Sequence, residues 1–115
     1  MKYSDIMAML TEIGLPFVYD HFAEGKSPDP PFIIFTLPGT ENMFADDVTY
    51  QQIVELDIEL YTDAKFPPHE RMIEVVLDSH EIPWNKEEVW IEEEKLYEVR
   101  YEVSVLYDSD EENEG

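Results

Sequence analysis

No cysteine occurs among the 115 residues, which excludes disulfide scaffolds, zinc ribbons, Cys-ligated clusters and thiol catalysis. A reducing cytosol is compatible with that. Positive charge is scarce: 7 Lys+Arg stand against 28 Asp+Glu, a formal balance of −21. Binding nucleic acid through its phosphates needs Lys and Arg to displace condensed counterions, so the expected partners are basic proteins or further copies of the chain. Long apolar runs are missing too. The longest clean one, Phe32 to Phe35, falls far short of the roughly 20 residues that cross a bilayer. Ser4, Asp5, Thr11 and Glu12 interrupt the N-terminal apolar stretch, unlike a signal peptide. No membrane association is expected.

What is present is enough apolar material, 43% of residues, for one domain of ordinary size that buries roughly 65% of its unfolded surface. Five acids (Asp108, Asp110, Glu111, Glu112, Glu114) crowd the last eight residues with no apolar residue between them. This composition predicts a disordered acidic tail over 108–115 behind a single domain at 1–107. The domain keeps 28 − 5 = 23 acids against 7 bases, so its own surface is strongly acidic.

Ile6, Met9, Leu10 and Ile13 recur at helical spacing behind Ser4, a suitable N-cap, and before Gly14, which predicts a helix over about 4–13. Residues 17–22 have strand composition, and the Pro-rich 27–31 reads as a loop. Residues 32–37 read as a strand apolar on both faces, and 38–48 as a long connection. From 49 to 61 alternation is clean, with Val54, Leu56, Ile58 and Leu60 against Glu55, Asp57 and Glu59. A second helix over about 68–80 offers Met72, Ile73, Val76, Leu77 and His80 along one face. Strands over 84–91 and 96–107, joined by the turn 92–95, form a hairpin. The order is α-β-β-β-α-β-β, an α+β fold with two helices on one face of a largely antiparallel five-stranded sheet. Its opposite face carries Glu55, Asp57, Glu59, Glu98 and Glu102. If strand order made them neighbours, their repulsion would be relieved by a basic partner.

No catalytic constellation stands out. His21, His69 and His80 read as solvent-facing or capping residues, and neither nucleophile-elbow nor phosphate-loop spacing occurs. No HExxH or EF-hand spacing suggests a metal site, and no cofactor is expected. Glu87-Glu88 and Glu92-Glu93-Glu94 read as solvated runs, because general acid–base work needs one carboxyl desolvated. Trp84 and Trp90, six apart, share one face of a regular strand, as packing residues or as interface anchors. The connection Asn42-Met43-Phe44-Ala45-Asp46-Asp47 places an apolar pair where solvent is expected. Either Met43-Phe44 folds back over the core or it docks on a neighbouring subunit.

The segments Gly14-Leu15-Pro16-Phe17-Val18-Tyr19, Pro31-Phe32-Ile33-Ile34-Phe35, Asn42-Met43-Phe44-Ala45-Asp46-Asp47, Glu59-Leu60-Tyr61-Thr62-Asp63 and Leu96-Tyr97-Glu98-Val99-Arg100-Tyr101-Glu102 carry a resemblance. Over about residues 3–107, the chain resembles small tail-assembly proteins of long-tailed bacteriophages and prophages, most of all the tail-completion, tail-terminator and head–tail joining proteins. The resemblance implies a small α+β virion subunit without enzymatic activity or cofactor. It would form a ring, usually six-fold, between the major tail-tube protein and the head connector. Its place would be the tail or neck of the virion, and the host cytoplasm during assembly. An acidic DNA mimic that occupies the basic groove of a DNA-binding host protein is the alternative reading of the −21 balance.

Overall fold

The computed structural model describes residues 1–43 and 51–107, so the expected tail at 108–115 lies outside the described residues. Two helices and six strands follow in the order α1 (Tyr3–Ile13), β1 (Phe17–Tyr19), β2 (Phe32–Thr36), β3 (Thr40–Met43), β4 (Gln51–Thr62), α2 (Pro67–Ser79), β5 (Asn85–Ile91) and β6 (Leu96–Tyr107). The class is α+β with a mostly antiparallel sheet, and the expected count of five strands is corrected to six.

In α1 the periodic residues Ile6, Met9, Leu10 and Ile13 are all buried. The helix begins earlier than Ser4. Lys2 stands at the boundary, its N–H donating to Asp5 Oδ2 at 2.8 Å while the Asp5 N–H donates to the Lys2 carbonyl at 2.9 Å. An anion in the first turn also suits the helix dipole. Gly14 ends the helix at φ +91°, a conformation that side chains with a Cβ resist.

Sheet order is β1-β2-β4-β6-β5, with β3 also paired to β4. The central pair is β4 and β6, in continuous antiparallel register from Gln52↔Tyr107 to Thr62↔Tyr97. The short β1 is the one parallel neighbour, aligned on β2 as Phe17↔Ile33 to Tyr19↔Phe35. β2 and β3 lie end to end along the same side of β4. Between Thr36↔Asp57 and Thr40↔Val54 one strand passes through Leu37, Pro38 and Gly39 while β4 passes only Glu55 and Leu56. This is a bulge of one extra residue, closed by the Glu55 N–H on the Gly39 carbonyl at 2.9 Å. The expected connection over 38–48 is therefore strand at Thr40–Met43, because β4 supplies the ladder that turn-like residues alone do not suggest.

Alternation then sorts the sheet into two faces. Ile33 and Phe35, Val54 to Leu60, and Val99 to Tyr107 at every second residue meet the buried residues of both helices in one core. Burying this apolar surface is the main source of stability. From α2 the core receives Ile73, Val76 and Leu77, but not Met72, which is partly exposed, nor His80, which is the exposed C-cap. Glu70 and Glu74 take the expected place of Met72 on the buried side.

Candidate protein-interaction surfaces

The strand order brings the carboxylates of the open sheet face together. Asp57 stands directly opposite Glu102, Glu59 opposite Arg100, and Tyr61 opposite Glu98. Arg100 is the cation in their midst, with Nη2 3.3 Å from Glu87 Oε1 and 3.5 Å from Glu102 Oε2. Partial burial pushes the Asp57 carboxyl above its usual range, with Glu102 and Glu55 adding to the shift and Arg100 opposing it. Burial and the Glu59 charge likewise push Glu98 up. Like charges facing across a ladder are destabilising, and these two carboxyls bear that cost. Next to them an open pocket of about 640 Å³ lies where β5 begins, lined among others by Pro38, Glu55, Asn85, Glu102 and Ser104.

The other face holds a cluster that amphipathic reading missed. Glu70 and Glu74, each 5% exposed, point from α2 toward the sheet. Lys86 Nζ donates to Glu70 Oε1 at 2.8 Å and to Glu74 Oε2 at 2.7 Å, and Tyr101 Oη donates to Glu74 Oε2 at 2.7 Å. Lys65 joins Glu70 to Glu88, at 2.5 Å each, and Arg71 reaches Glu74 at 3.1 Å. Burial alone would raise both glutamates, yet the hydrogen bonds from Lys65, Lys86 and Tyr101 hold them below the ordinary range. Lys86 also lies over the Trp84 and Tyr101 rings, at 5.8 and 5.9 Å from their centroids. Because every buried charge here has a partner, the cluster acts as a clamp between α2 and β5. The one available signal was the i, i+4 spacing of Glu70 and Glu74 flanking Ile73 and Leu77. Lys86 is too distant in sequence for local pattern to reveal.

On the outside of the helices, Ile13, Pro67, Pro68, Met72, Val75 and Val76 line an apolar groove of about 620 Å³, with Glu12 and Arg71 at its rim. Phe66, 49% exposed, stands at the start of the same helix. The β5 strand forms the far edge of the sheet, with six of its seven residues exposed.

The interface candidates fall in different places. Asn42 and Met43 belong to β3, in register with Gln52 and Gln51, so they are paired backbone and not loop. Phe44, Ala45, Asp46 and Asp47 lie outside the described residues. Trp84 precedes β5, packs edge-on to Tyr101 at 5.6 Å and donates its indole N–H to Asp78 at 2.9 Å. Trp90, 40% exposed, packs on Tyr97 at 4.8 Å and donates to Glu92 at 2.8 Å. Both rings are on the helix side of the sheet, one near each end of β5.

The Glu87-Glu88 run is split by strand alternation, Glu87 facing Arg100 and Glu88 facing Lys65, and both glutamates are exposed. Glu92 meets Lys95 across the turn. His80 Nε2 contacts Glu12 at 3.2 Å and ties the C-terminal ends of the helices, His21 meets Asp20 at 2.8 Å, and His69 packs against Phe66 at 4.7 Å. Among the described residues no group of three or more His, Cys, Asp or Glu could hold a metal ion, and no helix is long and apolar enough to cross a membrane. Compared with protein-family models the chain matches none, and no curated protein is matched by its sequence.

Proposed function

We propose that this chain is a structural subunit of a bacteriophage or prophage tail, of the tail-completion, tail-terminator or head–tail joining kind. It works by fitting against other proteins: further copies of itself in a six-fold ring, the major tail-tube protein on one side and the head connector on the other. It transforms no substrate and uses no cofactor. Its place is the tail or neck of the virion, reached from the host cytoplasm during assembly.

The observation that supports this reading is three separate surfaces suited to protein contact on one small domain: the apolar groove beside α2, the β5 edge, which no strand among the described residues pairs, and the acidic sheet face. A subunit held between two unlike neighbours and its own copies needs several such surfaces. The resemblance in sequence supplies the kind of assembly. The test is deletion of the reading frame from its phage or prophage, followed by electron microscopy of the lysate. Filled heads beside unjoined tails, restored to virions by the supplied chain, support the proposal. Joined and infectious particles without it overturn the proposal.

The alternative, a DNA mimic, draws support from the acidic face itself. Glu55, Asp57 and Glu59 recur along β4 at about 6.8 Å, the repeat of every second strand residue, beside Glu98 and Glu102 on β6. Salt-reversible capture of a DNA-binding host protein, abolished by Asp57→Asn with Glu102→Gln, would favour mimicry. Indifference to such proteins would remove it.

A further inference from the structure

We infer that the free chain pairs with a second copy of itself through β5, edge to edge and antiparallel, with Glu87 on the two-fold axis. The strand ends the sheet and nothing among the described residues covers it, so it presents a row of unpaired backbone groups. Such edges are commonly blunted by charge, and β5 carries Lys86, Glu87 and Glu88. What distinguishes this strand is that one register turns those charges into complements.

With Glu87 opposite itself, residues whose numbers sum to twice 87 face each other. On the helix side, Lys86 then faces Glu88 of the second copy and Glu88 faces its Lys86; Lys86 already holds Glu70 and Glu74 and Glu88 already meets Lys65, so the pairing adds a further opposite charge beside each of these groups, twice over. Trp84 faces Trp90 of the second copy, also twice, and Trp90 is among the large exposed hydrophobics. On the open face, Asn85 faces Val89. The single unfavourable pair is Glu87 against Glu87, and each has the Arg100 guanidinium at 3.3 Å to neutralise it. Shifting the register so that Glu88 lies on the axis sets Lys86 against Trp90 and Glu88 against Glu88, and the opposite-charge pairs are lost. The open sheet face has no comparable self-match, since its carboxylates would meet carboxylates. This pairing goes beyond the assembly reading and does not rest on it: a ring closes through two unlike patches, whereas a two-fold pair uses one patch against itself.

The test is single-cysteine scanning, clean because the chain has no cysteine of its own. A residue on the axis faces its own copy, and facing strand residues are close enough for a disulfide to form with small adjustment. Under mild oxidation at about 0.1 mM protein, a concentration at which a micromolar dimer is populated, Glu87→Cys should become mainly covalent dimer. Glu88→Cys and Val89→Cys alone should stay mainly monomeric, and a mixture of Asn85→Cys with Val89→Cys should cross-link to each other. Sedimentation of the unmodified chain should show a dimer that strengthens with salt, because two strongly acidic chains repel. Trp90→Ala should lose the dimer while keeping the circular dichroism spectrum of the folded parent. A monomer at every salt concentration overturns the inference, as does equal cross-linking at all positions or cross-linking centred on Glu88. A chain that stays monomeric alone but takes up a strand from another protein at β5 overturns it as well.

Discussion

Tyr101 Oη donates to Glu74 Oε2 at 2.7 Å, joining the centre of β6 to the buried side of α2. Both groups are out of water, and the same carboxylate receives Lys86. The bond therefore couples the hydrophobic core to the ionic clamp that holds the edge strand. Burial and this bond to Glu74 push the Tyr101 hydroxyl far above its usual range, so it stays a donor at any working pH.

Tyr101→Phe should cost about 1.5–3 kcal/mol, the loss typical of a hydrogen bond to a charged group. Glu74→Ala should cost about 3 kcal/mol, the low end for breaking a buried ion pair, because Lys86 keeps Glu70 and is itself partly exposed. The two changes share one contact, so the double variant should lose less than the sum. Urea unfolding of the four chains measures this, and strict additivity would mean the bond contributes nothing.

Acid should act with opposite signs on the two faces of the sheet. Glu70 and Glu74 have folded-state pKa values below the ordinary 4.5. Their stabilisation is complete above that value and is lost as pH falls through the lowered one. Glu98 is raised above 4.5, so its ionised form destabilises the fold at neutral pH, and falling pH relieves this down to 4.5. Asp57 behaves likewise relative to its ordinary 3.8. Glu98→Gln should therefore raise the melting temperature at pH 7, with the gain shrinking to nothing below 4.5. Melting curves of variant and parent from pH 3 to 8 decide it, and a gain that persists at pH 3 would assign the effect to something other than charge.

The bulge offers a local test. A Cβ on Gly39 would lie 2.8 Å from Glu55 Oε2 and 3.3 Å from its Cδ, atoms at the end of a movable side chain. Gly39 has no left-handed φ, so Gly39→Ala should gain about 0.4–1 kcal/mol from the less flexible unfolded chain, set against the cost of moving the Glu55 carboxylate aside. In a Glu55→Ala background that cost should vanish and the gain stand alone. A loss of stability in both backgrounds would place the constraint in the backbone.

The same region shows where sequence pattern reaches its limit. β4 and β6 were legible because their side chains alternate, β5 because a short turn joins it to β6, and α1 because four apolar residues repeat at helical spacing. Thr40 to Met43 follow Pro38-Gly39 and read as turn, yet pairing with β4 makes them strand. Which carboxylates become neighbours depends on strand order, a tertiary property that periodicity does not carry. In α2 the pattern put Met72 on the core face and gave no place there to Glu70 or Glu74. Lys65 and Lys86, brought in from outside the helix, reverse that choice by neutralising both glutamates.

Met72 and Val75 are consequently left on the outer side of α2, in the apolar groove with Ile13, Pro67 and Pro68. Val75 is 50% exposed and outside the core, so replacing it removes little buried surface. Val75→Lys should change stability by no more than about 0.5 kcal/mol, as surface substitutions generally do. If the groove receives a neighbour during tail assembly, the same variant places a charge in a desolvated contact and should fail to restore joined particles in a deletion background. Circular dichroism melting and complementation read the two effects separately. Full complementation by a stable Val75→Lys chain would remove the groove from the assembly contacts and leave the β5 edge and the acidic face to carry them.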